Sequence, residues 1–370
     1  MGAAGAVGGA TYVDDVFSTY LWEGNATTRD INNGIDLAGE GGLVWIKNRE
    51  NGNQNNLLFD TTAPPQSSGN LYSYPLQSNT SVARGPSVNG LKSFNSNGFS
   101  VYTDSGVNEN DKGIASWTFR KAPGFFDVVT YTGTSSTLNV AHNLGCVPGC
   151  ILIKCTDQNG YNWQVYHRGI GNTKSLKLDS TDAEITGNYF NDTSPTSTHF
   201  TVGATGNVNY NGFTYVAYVF AHDEQSFGED ANSSVIKCGS YTTDSNEDAT
   251  INLGWEPQWV LAKRTDSSSG GDWFIIDSMR GFMNAQDIEA NNGGSKYVEP
   301  NTSDAEADTS RMGLTSTGFY ADQFGSNRTF IYMAIRRSDG YVGKPVELGT
   351  DVFAMAVANG STPSFISNFP

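Results

Sequence analysis

One phrase recurs in this chain. Asn143-Leu-Gly-Cys-Val-Pro-Gly-Cys-Ile-Leu-Ile-Lys154 returns as Asn252-Leu-Gly-Trp-Glu-Pro-Gln-Trp-Val-Leu-Ala-Lys263, and a weaker copy, Leu37-Ala-Gly-Glu-Gly-Gly-Leu-Val-Trp-Ile-Lys47, stands earlier. The closing lysines lie 107 and 109 residues apart (47 to 154, 154 to 263). A solenoid repeats every ~20–50 residues, so this longer period predicts serial units of domain size. Tandem units extend, present or bind, whereas most catalytic sites are built once.

The order of short segments after each lysine is kept while their spacing drifts. Asn56-Leu-Leu-Phe-Asp60, Trp163-Gln-Val-Tyr-His167 and Trp273-Phe-Ile-Ile-Asp277 come first, then Asn79-Thr-Ser-Val-Ala83, Ser180-Thr-Asp-Ala183 and Thr302-Ser-Asp-Ala305. Gly98-Phe99, His199-Phe200 and Gly318-Phe319 follow, and each copy closes on Ile114–Phe119, Tyr215–Phe220 or Phe330–Ile335. Constant segments with variable spacers are what loops on a β framework produce. The segments are short and rich in Val, Ile, Tyr, Phe, Trp and Thr, and turn-forming residues separate them. No long helical period occurs; Asp287–Ala290 is a short turn at most. The chain is therefore expected to be all-β, as three tandem β-sandwich (jelly-roll-like) domains of about 110 residues each. The expected boundaries are 1–12 (flexible or docking arm), 13–122, 123–228, 229–340, and 341–370 (a C-terminal extension or the start of a further unit). A chain of 370 residues suits three small cores better than one.

A net charge of −16 disfavours sequence-independent binding to nucleic-acid phosphates. No apolar run reaches the eighteen or so residues of a spanning helix, so no membrane insertion is expected. Met1–Ala10 lacks the basic start and Leu-rich stretch of a signal peptide, which points to synthesis in a cytoplasm.

His142, Cys146, Cys150 and Cys155 superficially suggest zinc. Their counterparts in the third copy include Trp255 and Trp259, so the positions accept bulky apolar groups, and no metal is expected. Lys47, Lys154 and Lys263 end apolar strands, and Asp60, His167 and Asp277 on the following strands are their expected cross-strand partners. The carboxylates Glu229/Asp230, Glu247/Asp248 and Asp304/Glu306/Asp308 read as solvated loop charges. No nucleophile elbow, catalytic triad or dinucleotide loop is present, so no catalytic residue and no cofactor are expected, and the chain reads as a non-enzyme. The loop aromatics Trp22, Tyr72, Tyr74, Tyr161, Tyr189 and Tyr297 are the candidate surface-binding rings, because sugars and protein partners use such rings as anchors.

The stretch Asn33–Lys47, the run Ala115–Val129, and His142-Asn-Leu-Gly145 with Val165-Tyr-His167 resemble a repeat family of virion structural proteins from marine tailed bacteriophages, over essentially residues 12–360. The resemblance implies a particle component, a tail fibre or tail-associated appendage that contributes to host-surface attachment. It implies other virion proteins and a host-surface glycan or protein as partners, and a homo-oligomer, most simply a trimer. A capsid decoration protein or head fibre, and a polysaccharide-degrading tail spike, are the alternatives.

Overall fold

The computed structural model describes residues 10–63, 72–269, 271–289, 294–309, 311–322 and 324–344. The protein is all-β, and every named strand pairing is antiparallel. One strand order recurs three times. An opening strand (Phe17–Glu23, Phe126–Thr132, Ile236–Thr242) pairs with a closing strand (Gly113–Arg120, Thr214–Phe220, Thr329–Arg336). The closing strand pairs in turn with the lysine strand (Gly42–Asn48, Cys150–Cys155, Pro257–Arg264), and that strand with a return strand (Leu57–Asp60, Gln164–His167, Trp273–Asp277). Leu76–Gln77, Gly171–Leu176 and Ser295–Val298 continue the three sheets beyond the return strand.

A small sheet covers the outer face of each large one. It comprises Arg29–Asn32, Gly98–Val101 and Leu91–Asn95 in the first unit, Leu138–Ala141 and His199–Val202 in the second, and Ala249–Asn252, Gly318–Ala321 and Met312–Thr315 in the third. In the first unit Val44, Ile46, Ile114 and Phe59 pack outward against Ile31, Phe99 and Val101. In the third, Val260, Ala262 and Ile276 do the same against Ile251, Phe319 and Ala321.

The inner faces carry the larger residues, and they meet. Leu43, Trp45, Trp117 and Phe119 from the first unit, Leu152, Trp163, Tyr218 and Phe220 from the second, and Trp259, Leu261, Trp273 and Met333 from the third share one buried cluster. At its centre Phe119 lies 5.5 Å from Phe220 and 5.7 Å from Trp259. Three separate cores were expected from chain length. One common core joins the units instead, because each large sheet is apolar on both faces and its small sheet covers only one of them. Burying each such side chain stabilises by about 1.5–3 kcal/mol.

The two ends of the described chain also meet. The Val13 amide donates to the Val342 carbonyl at 2.8 Å, and the Gly228 amide to the Thr11 carbonyl at 2.9 Å. Val13, Val16 and Val342 are buried. Residues 11 and 12, expected in a flexible or docking arm, are docked within the chain itself: burial of the Val13 and Val16 side chains just after them holds them down. The rest of the expected arm, residues 1–9, and the strand-like run 351–358 lie outside the described residues.

Candidate functional site

The recurring letters converge on the boundaries between units. Lys47, Lys154 and Lys263 occupy the inner faces of their strands and are buried. Each ammonium donates to a carbonyl of the loop that follows it: Gln54 at 2.6 Å for Lys47, Tyr161 for Lys154 and Gly271 for Lys263. Each donates as well to a carbonyl of a neighbouring unit: Lys47 to Ser303 at 2.7 Å, Lys154 to Ser81 at 3.0 Å and Lys263 to Thr181 at 3.0 Å. Burial pulls all three amines down to about 8, against the raising influence of nearby carboxylates such as Asp304, Asp179 and Asp272.

The expected lysine partners are therefore corrected. In the antiparallel register Asp60 faces Leu43, His167 faces Cys150 and Asp277 faces Trp259, at the far end of each lysine strand. These three groups serve a boundary of their own. Tyr218 Oη donates to Asp60 at 2.7 Å and Trp117 Nε1 to Asp277 at 2.9 Å. The His167 Nε2–H points at the Tyr332 carbonyl at 3.0 Å, while its Nδ1 accepts from the Gly169 amide at 3.0 Å. That pairing fixes a neutral ring, and burial pushes its pKa down to about 4.

The phrase Ser81-Val-Ala-Arg84, Thr181-Asp-Ala-Glu184, Ser303-Asp-Ala-Glu306 acts as a main-chain clip. Its first carbonyl takes the neighbour's lysine. Its fourth amide donates to the carbonyl two residues past that lysine: Arg84 to Thr156 at 3.0 Å, Glu184 to Thr265 at 2.8 Å and Glu306 to Arg49 at 2.7 Å. Four residues before each clip carbonyl, the carbonyls of Gln77, Lys177 and Glu299 accept from Trp163 (2.9 Å), Trp273 (2.8 Å) and Asn56 (3.2 Å) of the adjoining unit. The same contacts join second unit to first, third to second and first to third, so the three units close a ring.

What the units do not share is the lining of a cleft on the outer face of the third. The cleft holds about 370 Å³ and is lined by Asp272, Phe274, Tyr297, Glu299, Asp308, Thr309, Arg311 and Phe324. Phe274 stacks on Phe324 at 5.6 Å, and the Arg311 guanidinium sits 5.8 Å over the Phe324 ring. Asp272 accepts from the Asn301 amide at 2.7 Å. Burial, then the charges of Asp272 and Asp304, lift Glu299 to about 7. By strand register, Asp272, Phe274, Tyr297 and Glu299 correspond to Asn55, Leu57, Pro75 and Gln77 in the first unit, where those residues line a cleft of about 520 Å³. In the second unit they correspond to Asn162, Gln164, Ser175 and Lys177. The framework is the same; at these four positions only the third unit carries rings and carboxylates.

The six candidate rings do not gather. Trp22 is a correction: it is 6% exposed and packs edge-on against Phe99 at 6.1 Å in the first unit's outer core, because its position on the opening strand faces the small sheet. Tyr74 is half-buried beside a separate cavity with Phe59, Leu91 and Phe94. The side chain of Tyr72 lies outside the described residues. Tyr161 packs edge-on against Phe213 at 5.5 Å, and Tyr189 packs on the common core. Only Tyr297 lines the third-unit cleft. Of the cleft's acids the sequence singled out only Asp308, as a solvated loop charge; nothing in the positions of Asp272 and Glu299 showed that a sheet register would set them beside two rings.

Cys146, Cys150, Cys155 and Cys238 are buried free thiols, and burial raises their pKa values. Among the described residues no three His, Cys, Asp or Glu side chains are grouped to hold a metal ion, and no helix is long and apolar enough to cross a membrane.

No curated protein matches the chain significantly. A chain from the crystal structure of the STIV MCP is similar over 58% of this chain and 92% of its own length, at 8% identity and a TM-score of 0.19, a likeness too slight to carry an argument. The family described as Domain of unknown function (DUF7483) matches residues 13–338. That span takes in all three units and the ring they close, and the chain belongs to this family.

Proposed function

We propose that this protein is a non-enzymatic structural component of a virus particle, a tail fibre or tail-associated appendage that helps engage the host surface. The observation that carries the reading is the use made of the repeated residues. Lys47, Lys154, Lys263 and the clip phrases hold three units in one closed body, as an element that carries tension or presents a surface requires. The resemblance of Asn33–Lys47 and Ala115–Val129 to phage virion proteins supplies the setting. Three units around one core give a single chain the three-fold arrangement that such appendages commonly build from three chains. The proposed partners are other virion proteins at one end and a host-surface glycan or protein at the other.

Antibody raised against the chain, imaged on intact particles by electron microscopy, tests this. Label on the tail together with blocked adsorption is expected. Label confined to the head would replace the reading with a capsid decoration protein, and particles without label would overturn it. The pairing of Asp272 and Glu299 in one cleft gives the polysaccharide-degrading spike its specific support. Release of reducing sugar from host envelope by the pure protein would favour that alternative.

A further inference from the structure

We propose that the third-unit cleft is a saccharide-binding site, taking a pyranose whose C–H face lies on Tyr297 and Phe274 and whose hydroxyls are held by Asp272 and Glu299. The inference deepens the attachment reading by naming a ligand class and a place for it, and it rests on that reading only for its biological setting.

Three observations combine. First, the cleft's volume of about 370 Å³ suits one or two sugar rings. Second, its walls pair the two chemistries that sugars need. Aromatic faces take the apolar C–H patches of a pyranose, and carboxylates accept its hydroxyl protons in charge-assisted bonds. Phe274 and Tyr297 stand on adjacent strands, Trp273–Asp277 and Ser295–Val298, on the same face of the sheet as Asp272 and Glu299. With Glu299 lifted to about 7, its carboxyl both donates and accepts near neutral pH, so it can serve a vicinal diol in either sense. Third, the internal copies act as controls. The first unit keeps the cleft but has Asn55, Leu57, Pro75 and Gln77 at the matching positions; its lining includes no aromatic ring, and its carboxylate, Asp104, comes from outside those strands. Phe274, Tyr297 and Phe324 also pack on the third unit's outer core, which holds the half-buried rings in place; the carboxylates of Asp272 and Glu299 beside them are what that packing does not call for.

The site carries Asp272, Glu299 and Asp308 against Arg311. Asp308 is already paired with Lys296 at 2.6 Å. With Glu299 also lifted to about 7, Asp272 and Glu299 only slightly outweigh Arg311, a balance that favours neutral hexoses over sialic and uronic acids.

The test uses the full chain and four probes, the methyl pyranosides of glucose, galactose, mannose and N-acetylglucosamine, observed by saturation-transfer NMR. Transfer to at least one is expected, with affinity falling at least about tenfold in Tyr297→Ala and measurably in Glu299→Gln. Pro75→Ala in the first unit's cleft should leave it unchanged. Should Tyr297→Ala fail to fold, judged by circular dichroism, Glu299→Gln and Asp272→Asn carry the test. No transfer to any of the four, or transfer that persists undiminished in the cleft variants, overturns the proposal. So does binding of calcium alone at the cleft with no saccharide. Absence of the protein from the particle would overturn the attachment reading and leave this result standing.

Discussion

At the scale of the residue, the buried lysines show how a charge is used for register. An ammonium removed from water costs several kcal/mol unless its donors are engaged, and here two carbonyls engage each one. Lys154→Met would leave the Tyr161 and Ser81 carbonyls without that donor, and a loss of about 3 kcal/mol is expected in urea denaturation. The sign of the pH dependence follows from the lowered pKa. The folded protein holds fewer protons than the unfolded chain between about 8 and the ordinary lysine value of 10.5. The lysine contribution is therefore fully present above 10.5 and is lost as pH falls through 8. Wild-type stability should rise between pH 7.5 and 9.5, and Lys154→Met should flatten part of that slope. The sequence displayed these lysines at once, as the last letters of a repeated phrase. Their partners were not legible, since Ser81, Thr181 and Ser303 belong to other copies and backbone carbonyls leave no trace in side-chain identity. Trp22 fails for a related reason: its polar neighbours in sequence say nothing about which face of a strand it occupies.

At the scale of the element, the strands were readable but their order in the sheets was not, and one further signal was present in the sequence. Leu43-Val-Trp-Ile46, Ile151-Leu-Ile153 and Trp259-Val-Leu-Ala262 are unbroken apolar runs. A strand with one wet face alternates; a strand covered on both faces does not. These runs therefore announced the second layer of packing on the inner face. The small sheets depend on close backbone approach at their hairpins. A Cβ on Gly318 would stand 1.8 Å from the Ile251 carbonyl oxygen, and one on Gly98 2.0 Å from that of Ile31. Gly318→Ala should cost about 2 kcal/mol or more, read as a fall in Tm, while Gly340→Ala, with open space around it, should stay within about 0.5 kcal/mol of wild type. The second unit has His199 at the corresponding place, and there the described sheet has two strands.

At the scale of the whole molecule, triplication was visible in the sequence but the ring was not, because nothing local distinguishes beads on a string from copies turned inward on one another. The two arrangements differ in cooperativity. Separate sandwiches melt separately; units sharing Trp45, Tyr218 and Trp259 in one core melt together. Differential scanning calorimetry should give a single transition with an enthalpy of about 230 kcal/mol near 60 °C and a calorimetric to van't Hoff ratio near one. Three resolved transitions would contradict the common core.

The chain crosses two of its three internal boundaries as a peptide, at 121–125 and 221–235; the third, where Lys47 reaches Ser303 and Val13 meets Val342, is shut by non-covalent contacts alone within the described chain. That joint is a clasp among solders. Under tension it is the place to part first, and Glu299, whose carbonyl takes the Asn56 amide, stands on its lip. Whatever settles in the neighbouring cleft thus has a hand on the latch.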